Sequence, residues 1–363
     1  MHHIKLIYDY FTPAFRAGGP TQSLANMVYS LHLPLSIIAT DQDLDGTKLQ
    51  AATDQWVALS KQHKAWYCSA ENRDIQHLIN ENDTLFINSI FSHHFNYPAL
   101  IKSNAKRKII SPRGMLDPGS LSQKKWKKQL YLAMWKLQGL HKRIEWHATT
   151  EQEKENIHKV FGTKAKVWVA PNIPRVLELQ QTQKQQNELR ISTIAVISPM
   201  KNHLLIAEAL ISVKEAVIWD IYGPVKDAKY WAECQLMISK LPSNIVVNYH
   251  GDVPPPDVPH ALKNAHIAML PSKSENFGHS IFEAMTAGKP VITSPNTPWN
   301  RLENAKAGKN VSINGTSELT AAISFFANMP HSEYELWSKS SRDFALASID
   351  MEAIEQRYLE MFA

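Results

Sequence analysis

Short apolar runs alternate with longer segments of mixed polarity from one end of the chain to the other. In the first half these runs predict strands near residues 4–8, 36–39, 85–88, 109–110 and 144–148. In the second half they fall near residues 191–197, 217–222, 245–249, 267–270 and 291–293. Strands that alternate with helical segments argue for parallel sheets covered by helices. The expected class is therefore α/β, with two Rossmann-like domains whose sheets face a cleft that holds the ligand. Residues 176–190 are rich in Gln and lack a core-like apolar face, which reads as connection and surface. The expected organisation is a first domain over residues 1–172, a linker over 173–190, a second domain over 191–345 and a C-terminal helix over 346–363. In that helix Asp350 suits an N-cap, and Ile354, Tyr358 and Met361 share one face.

One stretch of the second half concentrates chemistry. The apolar run over residues 267–270 stops at Pro271, so a buried strand opens at its carboxyl end into a loop bearing Glu275. Such strand ends are where open α/β sheets bind ligands. Gly278 lets the backbone approach a bound group, and the helix expected over residues 279–287 begins with unpaired N–H groups and a positive dipole end. That is a ready anion site. Gly288 fits the left-handed position after the helix, and Pro290 starts the next strand. Glu275 thus sits in the loop and Glu283 inside the helix, so the two carboxylates can reach different hydroxyls of one elongated ligand. A diphosphate would fit between them.

Composition sets limits on this picture. With 363 residues, 44% hydrophobic and 20% charged, the chain is large enough for two cores of an ordinary globular protein. No apolar run approaches the roughly 20 residues needed to cross a bilayer, and the first strand follows Met1 almost at once, so the expected location is the cytoplasm. Cys68 and Cys234 are far apart and lack metal-ligand spacing, and are expected as small buried residues rather than a disulfide or zinc site. The net charge of +5 is uneven: residues 1–172 hold 22 Lys and Arg against 14 Asp and Glu, or +8, which leaves 17 against 20, or −3, for the rest. Much of the excess lies in residues 123–143, where Lys and Arg surround Trp126, Tyr131 and Trp135. Such a segment either lies on an anionic membrane or sets a solvated basic face against an aromatic core face. No nucleic-acid motif accompanies it, so nucleic acid is not an expected partner.

Taken in order, several stretches resemble one family. Glu275 and Glu283, with Asn276, Phe277 and Gly278 between them and Thr297, Pro298 and Trp299 after the next strand, are similar to the donor-sugar signature of the retaining glycosyltransferases of family 4. Residues 13–23, with Gly18 and Gly19, resemble that family's glycine-rich loop after the first strand. Residues 111–118, 146–151, 171–172 and 199–202 are similar to segments of its bacterial polysaccharide- and lipopolysaccharide-building members. The likeness runs from the first strand to the neighbourhood of Gly308. It implies the GT-B fold, with the C-terminal helix crossing back to the first domain. It also implies metal-independent, retaining transfer of a sugar from a nucleoside-diphosphate donor to a glycan or lipid-linked acceptor. No cofactor is then expected, and the place of work would be bacterial surface polysaccharide synthesis at the inner face of the cytoplasmic membrane.

The resemblance also assigns residues. A sugar leaving a nucleoside diphosphate passes through an oxocarbenium-like state, so charge building on the diphosphate must be neutralised. Lys201 is the expected cation, Glu275 would hold sugar hydroxyls beside the backbone of Phe277 and Gly278, and Glu283 would accept from ribose hydroxyls. Asn276, His279, Thr297, Asn202, Gly223, Gly18 and Gly19 complete the expected donor side. His93 or His94 would face the donor sugar. Arg113, Ser89 and Ser92 belong to the acceptor side. One position departs from the pattern, because relatives commonly carry an arginine five residues before the lysine and Val196 stands there. Either Lys273 or Arg16 substitutes or transfer is weak, which keeps open a GT-B-shaped sugar-nucleotide epimerase or hydrolase, and a non-catalytic partner that binds nucleotide sugars.

Three signals also have plainer readings. Gly18 and Gly19 can form a simple turn, and Arg113 can serve a structural salt bridge. Asp41, Asp43, Asp45 and Gly46 open like a calcium-binding loop, but the twelfth position is Ala52, which supplies no carboxylate. A solvated loop without metal is expected there.

Overall fold

The computed structural model describes residues 3–72, 74–92, 95–122 and 125–363. His93 and His94 lie outside the described residues, as do Gln123 and Lys124 of the basic segment. The chain divides into two compact units, one formed by Met1–Ile173 with Met351–Ala363 and the other by Pro174–Asp350.

In chain order the first unit runs β1 (Ile4–Ile7), α1 (Gly19–Ser30), β2 (Leu35–Thr40), β3 (Trp56–Ala58), β4 (His63–Cys68) and β5 (Thr84–Asn88). It continues with α2 (Asn96–Lys102), β6 (Arg107–Ser111), α3 (Pro118–Ser122), α4 (Lys125–Leu137), β7 (Glu145–Ala148), α5 (Glu151–Phe161) and β8 (Val167–Val169). The strands form one sheet in the order β3-β4-β2-β1-β5-β6-β7-β8, parallel except where β3 meets β4. The apolar runs predicted its central strands, whose residues are almost all buried. They did not predict β3, β4 or β8, and in β4 Lys64 interrupts the run. The fold accommodates that lysine by laying its ammonium over the Trp56 ring, 4.5 Å from the centroid. Inside the unit Trp146 stacks on Phe161 at 4.5 Å and Trp135 packs beside both. Thr150 starts α5 by accepting the Glu153 N–H on its hydroxyl.

The second unit runs β9 (Glu188–Ile194), α6 (His203–Leu210), β10 (Ala216–Tyr222), α7 (Ala228–Ile238), β11 (Ile245–Tyr249), α8 (Val258–Leu262) and β12 (Ile267–Leu270). It ends with α9 (His279–Thr286), β13 (Val291–Thr293), β14 (Gly308–Asn310), α10 (Ser317–Ala327) and α11 (His331–Ala347). Its sheet is wholly parallel, in the order β11-β10-β9-β12-β13-β14. A last helix, α12 (Met351–Phe362), follows Asp350 and belongs to the first unit. There it buries Ile354, Tyr358, Met361 and Phe362, with Phe362 edge-on to Phe86 and the Met361 carbonyl accepting from Arg107 at 2.6 Å.

One expectation about the second unit needs correction. β9 begins at Glu188, just after Asn187 turns the chain with a φ of 65°, and it ends at Ile194. The β-branched Val196 and Ile197 lengthened the apolar run beyond the strand, and Ile197 makes only an isolated bridge to Val225. Most of the stretch 176–190 is exposed, in keeping with a surface connection, but it is also anchored to the second unit. Leu177 is buried, and the Lys184 ammonium donates to the carbonyls of Gln185, Glu188, Ala327 and Met329 at 2.8–3.0 Å. Lys289, also buried, donates to the Gln180 carbonyl and the Thr182 hydroxyl of the same stretch. Burial pushes both lysines down to about 8. The glutamine side chains of the stretch are mostly exposed, while its carbonyls and the Thr182 hydroxyl supply some of the acceptors that two desolvated cations need.

Cys68 and Cys234 are buried and unbridged. No helix among the described residues is long and apolar enough to cross a membrane.

Candidate functional site

In the second unit the first strand, β9, lies mid-sheet between β10 and β12. Connections leaving β9 and β12 therefore run to opposite faces, and a crevice opens at the carboxyl ends of these two strands. The loop after β9 carries Lys201 and the loop after β12 carries Glu275, and the Lys201 ammonium donates to Glu275 Oε1 at 2.5 Å. The loops are stitched together beneath this pair. The Lys273 N–H and the Ser272 hydroxyl donate to the Met200 carbonyl at 2.8 and 3.0 Å, and Asn202 Nδ2 donates to the Pro271 carbonyl at 3.2 Å. Sequence reasoning put Lys201 and Glu275 in one site, and topology does so independently.

The start of α9 presents unpaired backbone N–H groups. Gly278 precedes the helix with φ 78° and ψ 60°, no side chain caps it, and the N–H groups of Phe277 and Gly278 have no acceptor among the described residues. An added Cβ at Gly278 would stand 3.1 Å from Ile281 Cδ1 in a backbone conformation that side chains rarely adopt. The loop after β13 fixes the peptide: Trp299 Nε1 donates to the Phe277 carbonyl at 2.6 Å and its ring meets Phe277 edge-on at 5.4 Å. A trans peptide whose carbonyl turns toward Trp299 must turn the Gly278 N–H the other way.

Glu283 lies on the buried face of α9. Its Oε1 accepts from Arg175 Nε at 3.0 Å, while Arg175 Nη1 donates to the Pro255 carbonyl at 2.8 Å. Burial pushes the Glu283 carboxyl up to about 7 and outweighs the neighbouring guanidinium. Sequence reasoning missed Arg175. The one available signal was an arginine four residues beyond Pro171, in a stretch otherwise rich in Gln.

Other expected donor-side residues are placed by the backbone. Gly223 follows β10 with a φ of 136°, and a Cβ there would fall 2.0 Å from the Ala195 carbonyl oxygen, so glycine is required where the loops after β9 and β10 touch. The Thr297 hydroxyl donates to the Ser294 carbonyl within its own turn, and Asn202 is spent on Pro271, so both support loops. The His279 ring lies 4.8 Å from the Phe277 ring, and Asn276 is exposed. Of the two cations expected to replace the arginine absent at Val196, Lys273 is exposed, whereas Arg16 belongs to the first unit and pairs with Asp45 at 3.1 Å.

The first unit brings a second set of loops together where its own strand order turns at β1 and β5. Ser92 donates to the Asp9 carboxylate at 2.7 Å, joining the loops after these strands. Gly18 precedes α1 with a φ of 77°, and Gly19 opens the helix with open space around both glycines. Asp43 accepts from the N–H groups of Phe15, Arg16 and Leu44, so the aspartates that resembled a calcium loop anchor the glycine-rich loop instead. The Ser89 hydroxyl lies 3.3 Å from Met115 Sδ. Arg113 turns inward, donating to Asn88 at 2.7 Å and Asn172 at 2.5 Å. Asparagines, not a carboxylate, thus take these hydrogen bonds of its guanidinium.

The fold and these loops define a GT-B protein: two α/β units, each on a largely parallel sheet, matching solved GT-B structures. A family model described as "Glycosyl transferases group 1" matches residues 175–343, nearly all of the second unit. Sucrose-phosphate synthase from Thermosynechococcus elongatus superposes with a TM-score of 0.72 at 14% identity, covering 100% of this chain and 98% of that one. TarM from S. aureus, solved with UDP and alpha-GlcNAc-glycerol, gives 0.70 at 13% identity with 100% of both chains covered. HepE from Anabaena, solved with UDP and glucose, gives 0.66 at 14% identity over 99% of each. No curated protein sequence matches the chain.

Proposed function

We propose that the protein is a retaining glycosyltransferase that moves a sugar from a nucleoside diphosphate, bound at the carboxyl ends of β9 and β12, to a glycan or lipid-linked acceptor of a bacterial surface polysaccharide. The observation that carries this reading is the Lys201–Glu275 pair at the strand reversal, set beside the unpartnered N–H groups that precede α9. The group 1 match supports transfer chemistry. In the proposed step the bond from the anomeric carbon to the diphosphate oxygen breaks, the acceptor oxygen attaches on the same face, and the acceptor proton passes to the departing phosphate. Lys201 neutralises charge on that phosphate without a metal, Glu275 accepts from sugar hydroxyls, and Glu283 accepts from the ribose.

Nucleotide binding tests this first. UDP, bound by HepE and TarM in their structures, heads a series with GDP, ADP and dTDP. A ligand at a hundred times its Kd stabilises the native state by about 2.7 kcal/mol, which a melting curve resolves. One nucleotide is expected to raise the melting temperature of the wild type but not of Glu283→Ala. If none does, the reading fails. The same titration carries a pH signature. Ionised Glu283 accepts on both oxygens, so affinity is expected to rise as pH passes about 7, and calorimetry on Glu283→Gln should show that dependence flattened. Binding with equal pH dependence in both proteins would remove Glu283 from the ribose contact. Product analysis with donor alone separates transfer from the epimerase or hydrolase reading, since only transfer needs an acceptor.

A further inference from the structure

Helix α4 is apolar on two faces. Tyr131, Leu132 and Trp135 point into the first unit, where Tyr131 donates to the Ile90 carbonyl. On the other side Trp126, Leu130, Met134 and Leu137 are 67, 62, 40 and 89% exposed. At about 100° per residue these four fall in one stripe along the helix axis. Lys127 then lies on one flank of the stripe and Lys125 and Lys136 on the other, with Lys142 and Arg143 exposed just beyond the helix. Residues 118–144 contain no Asp or Glu. A water-facing stripe of this kind is unusual on a soluble surface, and its basic border selects what can cover it.

We infer that this outer face of α4 docks the protein on an anionic lipid bilayer, with Trp126, Leu130, Met134 and Leu137 entering the headgroup boundary and the flanking lysines meeting acidic headgroups. Apolar burial and charge attraction act together in such helices, and neither alone holds a protein firmly. The stripe also corrects the simpler expectation of a basic face over an aromatic core, since one tryptophan faces in and the other faces out. The inference does not depend on sugar transfer.

Flotation of the full chain with lipid vesicles tests it. Binding is expected to vesicles of phosphatidylcholine mixed with phosphatidylglycerol, weaker binding to phosphatidylcholine alone, and release by salt. Leu130→Ser with Leu137→Ser should lower partition on the order of 100-fold. Lys125→Ser with Lys127→Ser should lower it about 30-fold on acidic vesicles. All four side chains are exposed, so melting temperatures should not move. Absence of flotation, or flotation indifferent to the leucine changes, would overturn the inference. So would a wild-type dimer that those changes convert to a monomer, because a second copy would then be the cover.

Discussion

Replacing Lys201 by alanine is expected to slow sugar transfer about 100- to 1,000-fold, the usual cost of removing one preorganised group aimed at developing charge. The ammonium already stands 2.5 Å from Glu275 and is stitched into place through Met200, so it needs little reorganisation when charge appears on the leaving phosphate. The absence of an arginine at Val196 raises the stake, since the only other cation among the described residues of the loops after β9 and β12 is the exposed Lys273. The measurement is kcat/KM with saturating acceptor, read beside nucleotide affinity. A variant that keeps its affinity while losing rate places Lys201 at the transition state; one that transfers within a few-fold of wild type would show that it only supports Glu275.

Arg175→Ala is expected to destabilise the second unit by about 3 kcal/mol, because it leaves Glu283 buried without its cation. The loss should depend on pH. Burial raises the Glu283 carboxyl to about 7, above its value in the unfolded chain, so its contribution is fully present at acid pH and is lost as pH rises through about 7. Without Arg175 the carboxyl rises further. Above about pH 7 the wild type then holds a paired carboxylate, whereas the variant must either keep a proton or bury an unpaired charge; below it both hold a neutral acid and the gap shrinks toward the lost hydrogen bond to Pro255. Denaturant melts on either side of that pH measure this, and an equal loss at both would show that packing, not charge, is what Arg175 provides.

Much of this architecture was legible because it rests on local pattern. Apolar runs marked nearly every central strand, and Pro271, Gly278 and Gly288 punctuated the strand, loop and helix that carry the two glutamates. The limits lie where a tertiary partner overrides local character. Lys64 interrupts the apolar run of β4 and is covered by Trp56, and the glutamine-rich stretch, though largely exposed, also supplies carbonyls and a hydroxyl to Lys184 and Lys289, which no local pattern shows. Arg175 and Arg113 show the same limit from opposite sides. Both arginines directly follow a proline, and nothing local reveals that one meets a glutamate and the other two asparagines.

The stretch ahead of β9 sets where this protein can be cut. A fragment begun at residue 191 would discard the acceptors of Lys289 and strip the carbonyls of Ala327 and Met329 of the ammonium they share. A chimera that borrows the second unit must therefore join at Ile173, so the exchangeable module includes a segment with no regular secondary structure before β9.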